Sequence, residues 1–191
     1  MFPRKFKVPF LAVSFLVGAS SFAQPATDGI CAEVACRPEQ TVTLDVDAEH
    51  YIELPVGGTP YAYERFISLF PGDEFSVRAR IVDGEIQSLS FQTDGSVADN
   101  SIGVSFSQGK EIGDGLGMLL IVTNPFDRYL RYAAYIQTLD GEEYGYTSSC
   151  PVGPGISTVE QWPYPIIHLV MADVRLLPAP EDGDDGTIVC E

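Results

Sequence analysis

Phe75-Ser76-Val77-Arg78-Ala79-Arg80-Ile81-Val82-Asp83-Gly84, with Leu89 and Phe91 a few residues on, is the stretch that decides the fold. Phe75, Val77, Ala79 and Ile81 alternate with Ser76, Arg78 and Arg80. That is the period of two of a strand with one buried face. Asp83-Gly84 then offers two residues that tolerate positive φ, which a type I′ hairpin turn demands. The return strand places Leu89 and Phe91 on one face. The stretch reads as an antiparallel hairpin.

The same period recurs on either side. Val42, Leu44, Val46 and Ala48 alternate with Thr43, Asp45, Asp47 and Glu49, a half-buried strand with an acidic outer face. Ile102, Val104 and Phe106 alternate with Gly103, Ser105 and Ser107. Residues 118–122 are continuously apolar, which suits a strand buried on both sides. A turn at Asn124-Pro125 and Asp127 leads into residues 129–138. There Leu130, Tyr132, Ala134 and Ile136 share one face, and Arg131, Tyr135 and Gln137 the other. Asp140-Gly141 introduces a short return through Tyr144 and Tyr146, and residues 166–177 hold one or two more strands. Residues 57–60, 71–73, 109–117 and 151–165 are rich in turn formers. Helical character is confined to short turns near residues 62–69 and 158–161. Eight to ten short strands predict an all-β fold, a single antiparallel β-sandwich of immunoglobulin-like architecture, with a small β-barrel as the alternative. Trp162 follows Cys150 in a proline-rich loop, which departs from the Cys…Trp…Cys order of a true immunoglobulin domain.

The ends read differently from the body. Residues 1–23 have the parts of a secretory signal peptide: basic Arg4, Lys5 and Lys7, a short apolar run, then Ser21 and Ala23 before a cleavage point at Gln24. Residues 24–40 read as an extension held by cysteines, 41–177 as the sandwich, and 178–191 as an acidic tail ending near Cys190. The chain carries 11 basic against 27 acidic residues, a formal charge of −16. Removing the three cations of residues 1–23 leaves eight against 27, or −19 over 168 residues. This balance argues against nucleic acid, which needs a basic footprint, and disfavours anionic surfaces and polymers. No apolar run after the signal is long enough to span a membrane as a helix. Cys31, Cys36, Cys150 and Cys190 form an even set suited to disulfides in an oxidising compartment, periplasmic or extracellular. Near-neighbour pairing is the easiest to close, and the nested pairing stays open.

No catalytic constellation stands out. His168 lies among Ile166, Ile167, Leu169 and Val170 and reads as a satisfied strand histidine, while His50 reads as solvated. Neither accompanies a nucleophile motif. Asp45, Asp47 and Glu49 resemble a solvated face more than a glycosidase pair. Asp182, Asp184 and Asp185 are candidate calcium ligands, but their loop lacks EF-hand spacing. Nine tyrosines suit an exposed binding face, and Arg131 with Tyr135 on one strand face are the candidate binding residues.

The most distinctive runs are Asn124-Pro125-Phe126-Asp127-Arg128-Tyr129-Leu130-Arg131-Tyr132, Ser149-Cys150-Pro151-Val152-Gly153-Pro154-Gly155 and Glu160-Gln161-Trp162-Pro163-Tyr164-Pro165-Ile166. They resemble those of a set of secreted bacterial β-sandwich proteins of no assigned function. The resemblance covers residues 115–177 and implies no activity, ligand or catalytic residue. Physically, Asp127 and Arg128 fit a hairpin tip, and Cys150 pins the Pro/Gly loop. The expectation is a non-catalytic exported protein that binds or supports an envelope protein or glycan. A small secreted hydrolase or lyase acting on polysaccharide through paired carboxylates is the alternative.

Overall fold

The computed structural model describes residues 29–47, 49–92, 99–109, 116–141, 143–178 and 190. Residues 1–28, most of the acidic tail with Asp182, Asp184 and Asp185, and most of the 109–117 loop lie outside them. Twelve strands follow in order: β1 (Thr41–Asp45), β2 (Tyr51–Pro55), β3 (Ala62–Tyr63), β4 (Phe66–Leu69), β5 (Asp73–Val82), β6 (Glu85–Gln92), β7 (Ser101–Gly109), β8 (Gly117–Thr123), β9 (Leu130–Thr138), β10 (Gly145–Thr147), β11 (Ser157–Trp162) and β12 (Ile166–Leu176). The one helical piece among the described residues is a 3-10 turn, Ile30–Ala32.

Two antiparallel five-stranded sheets form the sandwich. The front sheet runs β10-β9-β12-β4-β3 and the back sheet β11-β8-β7-β5-β6. Neither closes into a barrel among the described residues. The inward positions fill one core: Ile67, Leu69, Leu130, Ile136, Leu169 and Met171 from the front, and Val77, Leu89, Ile102, Phe106, Leu120 and Val122 from the back. The deciding hairpin forms as the sequence predicts, with Asp83 at φ 52 and Gly84 at φ 78. The third layer is a two-stranded ribbon, β1 with β2. Leu44 anchors it in the core, and the Gln108 side chain bonds both the N–H and C=O of Asp45.

Several expectations need correction. The run at 118–122 is not buried on both faces: Leu119 and Ile121 are only half-buried on the outer side of β8, where no second layer covers them among the described residues. Residues 62–69 and 158–161 are not helical turns. They form β3, β4 and β11, because Ile67 and Leu69, and Glu160 and Trp162, must face inward at alternate positions. Trp162 therefore ends an edge strand, and its indole N–H donates to Thr147 Oγ1 at 3.1 Å. The acidic strand stops at Asp45. Asp47 instead caps the β1–β2 turn, accepting from the N–H groups of Glu49 and His50, each at 2.8 Å. Those backbone donors, with the His50 ring, lower its pKa. The last run forms one strand, as allowed by the expectation of one or two, with two register irregularities. Arg128 is a clamp rather than a hairpin tip: it donates to the carbonyls of Leu177 and Gly84 at 2.7 and 2.6 Å.

Both disulfides join near neighbours, Cys31 with Cys36 and Cys150 with Cys190. They place the chain in an oxidising, extracytoplasmic setting. No described helix is long and apolar enough to cross a membrane.

Candidate functional site

The outer face of the front sheet holds a cleft of about 500 Å³. Alternation creates it. Ile67 and Leu69 turn inward, so Phe66 and Ser68 turn outward, and Tyr135 and Val170 follow the same rule on β9 and β12. Phe66, Tyr135 and Tyr144 are 44%, 37% and 46% exposed. Val170 and Ala172 also line the cleft between them. Tyr146 extends the aromatic surface, its ring edge-on to Tyr135 at 5.6 Å. A larger hollow, about 710 Å³, lies over the back sheet, lined by Ser76, Gly103, Ser105 and Thr123 among others. The front cleft is the better candidate, because small-ligand sites are mostly apolar with a few converging polar groups.

Those polar groups sit at one end: Glu64, Arg65 and Asp173. Glu64 and Asp173 both adopt φ near 50. That conformation is uncommon outside glycine and is tolerated best by Asp and Asn. Asp173 is where β12 loses register between Ala172 and Arg175, a bulge that re-aims its side chain. Glu64 occupies the β3–β4 turn. The turn's own carbonyls are tied down, Glu64 C=O to Leu89 N–H at 2.7 Å and Arg65 C=O to Val174 N–H at 3.1 Å. Asp173 bonds Arg65 at 2.9 Å through Oδ1 and Arg175 through Oδ2. The charge of Glu64 beside it raises the Tyr63 pKa.

Beneath the aromatic wall runs a buried polar chain. Tyr144 hydroxyl contacts His168 Nδ1, and His168 Nε2 contacts Ser68 Oγ at 2.7 Å. Arg37, whose side chain is fully buried, pairs with Asp73 and donates to Ser68 C=O at 2.6 Å. Its guanidinium lies 4.4 Å from the Tyr61 ring centroid and 4.9 Å from that of Phe70. The His168 ring stacks on Phe70 at 4.2 Å. Burial first, and the Arg37 charge second, push its pKa down to about 4. A neutral imidazole has one donor and one acceptor, and a hydroxyl can meet either. Both ring nitrogens are thus satisfied without a charge. A Ser–His contact is also the start of a nucleophile–base pair. Here the third group is a tyrosine, the carboxylate of the chain, Asp73, is spent on Arg37, and the ring is a poor base at neutral pH. The chain holds Tyr144 in place.

A second buried acid lies at the opposite edge. Glu160 Oε1 accepts from Tyr132 hydroxyl at 2.9 Å, while its Oε2 is buried without a partner. Burial raises the Glu160 pKa, and burial with Glu160 raises that of Tyr132.

Of the residues singled out by sequence, Tyr135 lines the cleft. Arg131 shares its strand face and sits opposite Arg175 in the β9–β12 register. His50 is exposed and bonds Asp47 at 2.8 Å. Asp182, Asp184 and Asp185 lie outside the described residues. Among the described residues no cluster of three or more His, Cys, Asp or Glu fits a metal ion. Phe66, Glu64, Arg65, Ser68, Asp173 and Arg37 went unnoticed in the sequence. Their only local signals are an aromatic and charged turn between two short strands and an arginine next to a cysteine.

No protein-family model, curated protein or solved structure matches the chain. Its class is accordingly set by its own architecture, a disulfide-linked β-sandwich with an aromatic cleft on one outer face.

Proposed function

We propose that the chain is a non-catalytic binding protein of the bacterial envelope, exported by residues 1–23, an immunoglobulin-like sandwich that grips a glycan in the front cleft. The observation that carries this reading is the cleft itself: Phe66, Tyr135 and Tyr144 offer rigid apolar faces beside Arg65, Glu64 and Asp173. Sugar rings pair an apolar face with edge hydroxyls, so rings flanked by fixed donors and acceptors suit them. The aromatic positions are pre-organised, because Tyr144 is fastened to His168 and Tyr135 is braced by Tyr146. The kinship suggested by the Asn-Pro-Phe-Asp-Arg and Trp-Pro-Tyr-Pro-Ile runs fits an exported protein of this kind.

The test is a glycan array with the mature chain, alongside Tyr135→Ala and Phe66→Ala. Retention of a glycan by the wild type and its loss in both variants is expected. Equal retention by all three proteins, or by none, sinks the reading.

The hydrolase or lyase alternative keeps one point in its favour, two acids at the same end of the cleft. One of them, Asp173, is already engaged by two guanidiniums. A glycosidase needs one acid free to give a proton and another free to receive the sugar or a water. Release of new chain ends from a retained glycan, abolished by Glu64→Gln, would restore the enzyme.

A further inference from the structure

The cleft has a small apolar floor between two aromatic walls. Tyr135 on β9 and Ser68 on β4 both stand opposite Val170 of β12, one on each side. Ile67 pairs with Met171, so Phe66 stands beside Ala172. Val170 and Ala172 are therefore the floor, with Tyr135 on one side and Phe66 on the other. β9 and β4 are separated only by β12, two strand spacings or about 10 Å. That gap admits one ring lying on the floor.

The charges at the polar end cancel. Glu64 and Asp173 bring two negative charges, and Arg65 and Arg175, both bonded to Asp173, bring two positive ones. Outside the lining the signs stay mixed: Glu33 lies near Tyr63, and Arg131, which has an interaction of its own, lies opposite Arg175. Screening over about 8 Å at physiological salt confines the balance to these neighbours. Cancelled charge still leaves hydrogen-bonding capacity. Arg65 meets Asp173 through Nη2, and a guanidinium carries five N–H donors. Glu64 stands beside Tyr63, and a carboxylate has about four lone-pair sites. Two consecutive turn residues thus offer the same cleft a donor and an acceptor.

We propose that the cleft selects a neutral hexose unit with two adjacent hydroxyls and rejects sugar units of either charge. This inference rests on the glycan reading above and names the class of sugar. The ring lies on Val170 and Ala172 between Tyr135 and Phe66. One hydroxyl accepts from Arg65 and its neighbour donates to Glu64, since a hydroxyl does either. A hexuronate would bring an anion against Glu64 and Asp173. A hexosamine with a free ammonium would bring a cation against Arg65 and Arg175. Neither meets a net opposite charge, so each gives up its hydration without compensation.

The experiment is an array of neutral, hexuronate-bearing and hexosamine-bearing oligosaccharides matched in linkage. Calorimetry at neutral pH follows on the best neutral ligand and its two charged counterparts. The neutral ligand should bind about tenfold tighter than either counterpart, the effect of one polar group left unpaired in the site. Arg65→Gln makes the balance negative and should move the hexosamine ahead of the hexuronate, relative to the wild type. Glu64→Gln makes it positive and should do the reverse. Arg78→Gln, on the outer face of the back sheet, should change nothing. A counterpart of either charge that binds the wild type as well as the neutral ligand, or better, overturns the neutral-sugar assignment while leaving glycan binding intact. Retention of no glycan overturns both. Failure of either turn variant to move the two counterparts apart in the stated direction also overturns the assignment. Glu64 and Arg65 are exposed, so both variants retain the fold's packing, and an unchanged Trp162 fluorescence spectrum verifies it.

Discussion

Acidification should destabilise the chain through His168 by a calculable amount. The ring is neutral in the folded protein with a pKa of about 4, against an ordinary value of 6.5. The folded pKa is depressed, so the folded state holds fewer protons than the unfolded one between those values. Stability is fully present above about pH 6.5 and is lost as pH falls toward 4. Each pH unit crossed in that window costs about 1.4 kcal/mol, so the loss is about 2 kcal/mol at pH 5 and about 3 kcal/mol at pH 4. The neighbouring cation, Arg37, is itself locked to Asp73 and to the carbonyl of Ser68, so it cannot swing away to relieve the new charge. Urea unfolding followed by Trp162, the single tryptophan, reads the effect. With a slope of about 2 kcal/mol/M, the midpoint should fall by about 1 M between pH 7 and pH 5 through this group alone. Carboxylates also titrate over this range, so the comparison is with His168→Gln, which has no ring to protonate. The variant starts less stable but should lack that share of the decline. Parallel decline in both proteins would refute the reasoning.

Three further outcomes follow from the same geometry. Glu160 has the opposite sign: its raised pKa means stability is present at low pH and lost as pH rises through the folded value, so Glu160→Gln should gain on the wild type in urea midpoint from pH 4 to pH 8. Asn124 is fully buried and its amide serves the carbonyls of Arg128, Val152 and Gly153 while accepting from Phe126 N–H. Asn124→Ala should therefore cost about 3 kcal/mol and lower Tm by about 10 °C. The disulfides span 40 and 5 residues, so the chain-entropy relation gives about 4 kcal/mol for Cys150–Cys190 and about 2 kcal/mol for Cys31–Cys36. Paired serine variants compared by urea melts should show that ratio.

The sandwich was legible in sequence wherever a strand shows one face to the core and one to water. The Asp83-Gly84 hairpin and the alternation of residues 130–137 came through because both signals are local. β11 did not, because prolines and glycines flank it and its inward residues include a glutamate. β3 and β4 did not, because two and four residues are too few to establish a period. The cleft was legible only at Tyr135 and in the count of tyrosines. Its other parts meet through space: Ser68 and His168 are 100 positions apart, and Arg37 reaches Asp73 across 36. Among the described residues the acids stand on strands, as at Asp45, Glu53, Glu74 and Glu85, and between them, as at Asp83 and Asp127.

The β3–β4 turn has a kinetic consequence. Edges of a sandwich ordinarily fray, and their amide protons leave quickly. Here Glu64 C=O holds the N–H of Leu89 on β6, the outermost strand of the back sheet, and Arg65 C=O holds the N–H of Val174 on β12. One two-residue turn thus rivets the back sheet to the front at the rim of the cleft. The Leu89 and Val174 amides should exchange on the timescale of global unfolding, and the rim should behave as a hinge pin rather than a flap.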